Sequence, residues 1–522
     1  MRIVGPTLVL SLLVACSAAG EASYDSYAWD SGGYEADVDA DADADADTDT
    51  DADADTDTMP PETESDFFSL APAPAPDFLL IANPDRDTVT RVTVPELGVL
   101  TTEVGSQPST VLLASTYEMA ITFNEGSEDA SVIDTETLEV TQADLRPRLD
   151  SMQLSPDGAW AVAFNSLDLD DDEVDSTSSV KEASFVELAT AEPVGLALGF
   201  QPRQLHFNED GSRAVFLGDA YIALVQLDAK PLAVELVQIA EDLLEPPASE
   251  ELLLNPAGSK ALVRQRDASR LVLVDLDALS TSNVPTGGTP SDLDMHPDDV
   301  HAVAVCRGSH ELWIYDLDSP SEPRVVDMPQ EHILGAVEFG PDELTPAILY
   351  STVSGASSFA SWDLSDDSIS LHPLPKPVMA VGLDPTGETA LFLHDDEDVE
   401  DQDAAHDGSY GVSLVDTSSW LTNDYVLPAE PMQFAHSDDG SYGFLILDGE
   451  QALDVLDYRT LLMDEIELRS DPVHLGTLPG GTWAYVSQRH ELGRLSLYEA
   501  ESGTLKTMTG FELNSGIEVE ER

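Results

Sequence analysis

Ser155-Pro156-Asp157-Gly158-Ala159-Trp160-Ala161-Val162-Ala163-Phe164-Asn165 runs a tight turn straight into an apolar strand. Proline presets the turn and glycine tolerates its strained corner. The tetrad recurs as Asn208-Glu209-Asp210-Gly211, Asn255-Pro256-Ala257-Gly258 and His296-Pro297-Asp298-Asp299. It returns as Gly340-Pro341-Asp342-Glu343, Asp384-Pro385-Thr386-Gly387, Ser437-Asp438-Asp439-Gly440 and Leu478-Pro479-Gly480-Gly481. The spacings are 53, 47, 41, 44, 44, 53 and 41 residues, the period of a repeat architecture.

Each turn leads into a short apolar run such as Tyr442-Gly443-Phe444-Leu445-Ile446, and a second run then ends in an acid. Examples are Val132-Ile133-Asp134, Leu273-Val274-Asp275, Ile314-Tyr315-Asp316, Trp362-Asp363, Val415-Asp416 and Leu456-Asp457. Val92-Thr93 and Val225-Gln226 fill the same place without the acid, which makes ten units. Short strands, regular turns and almost no helical periodicity predict an all-β chain of repeated four-stranded antiparallel blades. The recurring aspartates are read as turn and strand hydrogen-bonding groups rather than a catalytic ring.

Ile121-Thr122-Phe123-Asn124, Val162-Ala163-Phe164-Asn165 and Tyr485-Val486-Ser487-Gln488, each followed by a strand like Val132-Ile133-Asp134-Thr135, resemble YVTN-type β-propeller repeats, relatives in shape of WD40. The resemblance covers nearly all of residues 78–522 and implies a propeller of seven to ten blades. Seven or eight is usual in that family, so ten units imply either one wide ring or two smaller ones. The first unit lacks an inner strand, and the C-terminal segment near Gly510–Asn514 is expected to supply it and close the ring.

Ahead of the repeats stands a different composition. Between Glu21 and Asp66 there are eighteen acids and no Lys or Arg, with Asp at every odd position from Asp37 to Asp57. The alternating partners, Ala and Thr with one Val, cannot build a core. Neighbouring carboxylates lie about 7 Å apart in an extended chain, inside a screening length of about 8 Å, so the segment is expected to be stretched and solvated. Ala71-Pro72-Ala73-Pro74-Ala75-Pro76 reads as a stiffer piece of the same tether, which spans residues 16–77.

The chain starts Met1-Arg2 and continues with an apolar run to Ala15, too short to cross a bilayer comfortably but suited to a secretory signal. Leu13-Val14-Ala15-Cys16 resembles the lipobox of bacterial lipoproteins. That likeness implies cleavage after residue 15, a diacylglycerol on the Cys16 thiol and an acylated new amine. Two or three acyl chains anchor stably where one is marginal. The expected location is the bacterial cell envelope, lipid-anchored, at the outer membrane.

Of 522 residues, 101 are acidic and 22 basic, for a formal charge of −79. That balance excludes a protein devoted to nucleic acid, which needs clustered Lys and Arg. The tether holds eighteen of the acids, so residues 67–522 still carry −62. Partners are therefore expected to be cationic, divalent-bridged or neutral. The two cysteines exclude a disulfide scaffold. With Cys16 taken by lipid, Cys306 in its apolar run reads as a buried, inert thiol.

No metalloprotease helix, nucleophile elbow or phosphate-cradling loop occurs among these residues. His296 and His301, which flank a turn, and His310 read as turn and surface histidines. Two acidic loops, Asp168 to Asp175 and Asp395 to Asp407, lengthen the two 53-residue units. Calcium is the one cofactor they invite, with Asp168, Asp170, Asp172, Asp395, Asp396 and Asp398 as its ligands. Neither loop has the glycine spacing of a calcium site, so solvated surface loops are the preferred reading.

Anchor, stalk and ring together point to a binding or scaffolding module for an envelope protein, a glycan or an ion. The alternative is an enzyme, since some propellers of this repeat type are lactonases and others hold cofactors where inner strands converge on the channel. Arg146, Arg148, Arg203, His206 and His474 stand near predicted inner strands and are the first place to seek such a site.

Overall fold

A computed structural model describes residues 72–166, 181–320, 322–329, 332–353, 356–396, 408–513 and 517–521. Signal, Cys16 and nearly all of the tether lie outside these residues. The described chain is ten sheets in succession, each a simple antiparallel meander. Blades 1 to 5 span residues 73–103, 108–144, 151–197, 204–238 and 249–285. Blades 6 to 10 span residues 290–327, 336–373, 380–427, 431–467 and 472–521. The first strand of each is innermost, and the fourth is largely exposed at the rim, as in Ser280–Pro285.

The second and third strands are continuous apolar runs because both faces of each blade are covered by neighbours. Trp160–Phe164 is buried at all five positions. Side chains alternate between faces along a strand, and here the alternation assigns each residue to a neighbour. Val162 and Phe164 pack toward blade 4, against Phe207 and Phe216. Ala161 and Ala163 pack toward blade 2, against Ile121 and Phe123.

Ten such apolar clusters join the ten blades in cyclic order. The one that closes the circle sets Leu79 and Val92 of blade 1 against Leu495, Leu497 and Met508 of blade 10. Tyr485 in blade 10 donates its hydroxyl to the Pro72 carbonyl at 3.0 Å across the same seam. The chain forms one wide ring of ten blades.

Closure differs from the expectation drawn from the sequence. Ala73–Pro74, in the Pro-Ala run assigned to the tether, pairs with Leu79 and Leu80 as the inner strand of blade 1. The segment at Phe511–Leu513 is a short 3-10 turn instead of that strand. Glu518–Glu521 adds a fifth strand to the outer edge of blade 10. Residues that pack as a seam need no exchanged strand, because Leu79 and its partners already bury the joint.

A meander reverses at every strand, so the turns between strands one and two share a face with those between three and four. The first residue of the tetrad caps the turn in several blades. Ser155 Oγ accepts the Trp160 N–H at 3.0 Å, Asn208 Oδ1 that of Arg213 at 2.8 Å, and Asn255 Oδ1 that of Lys260 at 2.9 Å. In blades 3, 4, 5, 8 and 9 the fourth residue is a glycine at positive φ, 69° at Gly158, where glycine carries no steric cost.

Candidate functional site

A propeller's inner strands converge on its channel, and polar groups there bond from blade to blade. In five blades the inner strand opens with a β-bulge: Pro108/Thr110, Ser249/Glu251, Pro290/Asp292, Pro431/Gln433 and Pro472/His474. A bulge re-aims a side chain. At Glu251, Asp292 and Gln433 it turns a polar residue toward the next blade.

Glu251 Oε1 accepts the Leu293 N–H of blade 6 at 3.2 Å, and Asp292 Oδ2 that of Val337 in blade 7 at 2.8 Å. Gln433 Oε1 accepts the Leu475 N–H of blade 10 at 2.7 Å. Ser291 Oγ donates to the Gly335 carbonyl at 2.5 Å. The inner strands are thus stitched blade to blade.

The densest charge on this belt lies in blade 5. Arg264, its side chain only 10% exposed, donates from Nη1 to Glu250 at 2.6 Å and from Nε to Glu251 at 2.9 Å. Arg266 Nε reaches the other Glu250 oxygen at 2.8 Å. Burial alone would depress the Arg264 guanidinium, but Glu251, Glu250 and Asp292 outweigh it and hold its pKa above the usual value. Carboxylates held by arginine and by backbone N–H groups form a structural brace.

The five residues singled out for a channel site are not brought together. Arg146 and Arg148 stand in the connection between blades 2 and 3. Arg146 lies 3.4 Å from Glu182, and the Arg148 carbonyl accepts Asn165 Nδ2 at 3.0 Å. Arg203 grips Asp219 through two bonds of 2.7 and 2.9 Å, and Asp219 also accepts the Ser249 N–H. His206 in blade 4 and His474 in blade 10 are buried on inner strands far apart around the ring. Burial pushes both imidazoles down to about 4.

The aspartates that close the third strands behave as expected. Asp134 Oδ1 accepts the Glu136 and Thr137 N–H groups, and Asp416 Oδ1 those of Ser418 and Ser419. Asp275, Asp316, Asp363 and Asp457 cap their turns likewise. Bonds from the Thr137 backbone and hydroxyl hold the Asp134 carboxyl below its ordinary value. Asn124 and Asn165, at the ends of the second strands of blades 2 and 3, are buried and bonded across the opposite turns.

Cys306 is fully buried 3.2 Å from Thr286 Oγ1, and burial pushes its thiol up to about 11. Of the calcium candidates, Asp168, Asp170, Asp172 and Asp398 lie outside the described residues. Asp395 and Asp396 are described at the end of the second strand of blade 8, on the face away from the tetrads. His296, read as a turn or surface group, is 6% exposed and hence part of the interior.

One buried carboxylate has a marked shift. Asp454, in the third strand of blade 9, stands directly opposite Glu465 on the fourth. Burial first, then Glu465 and Glu450, push its pKa up to about 6. The folded chain therefore holds this proton more tightly than the unfolded one, whose Asp titrates near 3.9. Stability is lost as pH rises from about 4 through 6. Asp454→Asn is expected to stabilise the protein by about 2 kcal/mol at pH 7.5 and by nothing below pH 4. Denaturant midpoints of both chains across that range check it, and a gain independent of pH would refute the assignment.

No family model matches this chain, and no curated protein matches it. Solved structures do resemble it in shape. A eukaryotic initiation factor aligns over 75% of this chain and 96% of its own, with 10% identity and a TM-score of 0.50. The dihydro-heme d1 dehydrogenase NirN, in complex with DHE, aligns over 68% of this chain and 74% of its own, at 14% identity and a TM-score of 0.44. Apo AztD from Citrobacter koseri aligns over 67% and 94%, at 15% identity and a TM-score of 0.39. At such identities the likeness is one of fold alone.

Proposed function

We propose that this chain is a lipid-anchored, extracytoplasmic propeller that serves as a binding or scaffolding module in the cell envelope. The observation that carries the reading is the use made of the inner strands. Their polar groups brace one blade against the next, which leaves the two broad faces as the surfaces for recognition. The lipobox-like Leu13-Val14-Ala15-Cys16 and the acidic tether supply the anchor and the reach.

The two faces differ in charge. On the tetrad face Arg213, Lys230, Lys260, Arg324 and Arg459 are each paired with a carboxylate of that face, and Lys506 donates to the Pro95 carbonyl there. Arg86, Arg203, Arg266, Arg307, Arg489 and Arg494 stand on the opposite face. The tetrad face therefore suits a cationic protein segment or a partner bridged by divalent ions.

Cys16→Ser tests the anchor. The parent is expected to partition into detergent, to label with palmitate and to retain an envelope partner whose capture weakens as salt rises. The variant is expected in the aqueous phase, unlabelled. A variant that still partitions and labels removes the anchor, and a parent that retains nothing from the envelope removes the binding role.

A further inference from the structure

Blades 6 and 7 break the turn repeat, and the two breaks meet. In blades 3, 4, 5, 8 and 9 the tetrad opens on Ser, Asn or Asp and closes on Gly. Blade 6 opens instead on His296 and closes on Asp299, while blade 7 closes on Glu343. His296, Asp298 and Glu343 each present a donor atom within 4.8 Å of the other two.

The contacts within this group hold its donor atoms close together. Asp298 Oδ1 accepts the Val300 and His301 N–H groups at 2.9 Å, which fixes the carboxylate. Its Oδ2 accepts His301 Nδ1–H at 2.6 Å and lies 3.1 Å from His296 Nδ1. The Asp298 N–H also approaches that nitrogen, at 3.3 Å, a long contact that a metal ion taking the single Nδ1 lone pair would replace. The separation of 3.1 Å between Asp298 Oδ2 and His296 Nδ1 is near the edge of about 3.3 Å expected for zinc donors at about 2.0 Å in a tetrahedron.

Charge points the same way. Glu343 brings a second carboxylate to the group, and no Lys or Arg pairs with it or with Asp298 among the described residues. Two carboxylates at this distance repel unless a cation lies between them. The His296 ring is wedged edge-on against Phe339 and Trp362 of blade 7, at 5.7 and 6.3 Å between centroids. An apolar wall behind an imidazole ligand limits solvent access and fixes ring orientation, as does the His301 bond to the ligating carboxylate.

We propose that His296, Asp298 and Glu343 bind a divalent transition-metal ion of the zinc type, which clips blade 6 to blade 7 on the tetrad face. One nitrogen and two carboxylates suit zinc and its neighbours over calcium or magnesium, which take oxygen alone. The fourth position stays open to water or to a donor from a partner.

The full chain in detergent is titrated with Zn²⁺ in a large excess of Mg²⁺, which saturates the many oxygen-only sites of so acidic a surface. One equivalent is expected to be retained, to raise the melting temperature, and to show an imidazole together with oxygen donors in its zinc-edge spectrum. Glu343 is exposed, so Glu343→Gln keeps the fold and is expected to weaken zinc at least tenfold; His296→Asn is expected to abolish the imidazole signature. Zinc held equally by the parent and Glu343→Gln, a spectrum of oxygen donors alone, or no zinc retained over Mg²⁺ overturns the proposal.

Discussion

Arg264→Ala is expected to destabilise the ring by about 3–5 kcal/mol, because it leaves buried carboxylates without their partner. The guanidinium reaches Glu250 and Glu251 at once, and both carboxylates have side chains no more than 16% exposed. Removing it strands Glu251 beside Asp292, itself 4% exposed, and leaves Glu250 only the more exposed Arg266. Arg264→Lys keeps the charge but cannot offer the planar fork that serves both groups, so an intermediate loss is expected. Replacing all three members together, Arg264→Met with Glu250→Gln and Glu251→Gln, is expected to recover much of the loss, since the penalty lies in unpaired charge. Denaturant midpoints measure the series. A loss under about 1 kcal/mol for Arg264→Ala would show the brace to be ornamental.

The seam between blades 1 and 10 gives the second large effect. Leu79 is fully buried there with Leu495 and Leu497, and Leu79→Ala is expected to cost about 2–5 kcal/mol through lost burial and a residual cavity. Ending the chain after Leu513, by contrast, removes a fifth strand whose four residues are all exposed. The truncation also removes Ile517, partly buried against the seam cluster, together with the Arg469–Glu520 pair and Lys506 at 3.9 Å from Glu521. With only one half-buried apolar side chain lost, the truncation is expected to cost about 1–2 kcal/mol, less than Leu79→Ala. Thermal melts of the two variants side by side distinguish a packed seam from closure by the C-terminal strand. A silent Leu79→Ala beside a collapsed truncation would reverse the assignment of the seam.

Much of the fold was legible because its signals are local. Tetrads, apolar second and third strands and the closing aspartates each lie within a dozen residues, and Asp134 or Asp416 caps a turn wherever that turn sits. The inner strand of blade 1 was not legible. Ala73–Pro74 shares its composition with the tether and is a strand only because Leu79 and Leu80 lie opposite it. The inner-strand bulges did carry a sequence signal, a Pro two residues before Thr110, Asp292, Gln433 or His474. Its meaning depends on the backbone N–H of the next blade, some forty residues away.

The same distance separates what the sequence determined by itself from what only the tertiary structure decided. Ten repeat units of short antiparallel strands, the strong negative charge and the change of composition ahead of the repeats follow from residues adjacent in the chain, because strand periodicity and turn chemistry act over short spans. A single ring, its seam at Leu79, the brace at Arg264 and the meeting of His296 with Glu343 were decided by packing. Each joins groups on different blades, and no local rule fixes which side chains two blade faces and their loops bring together.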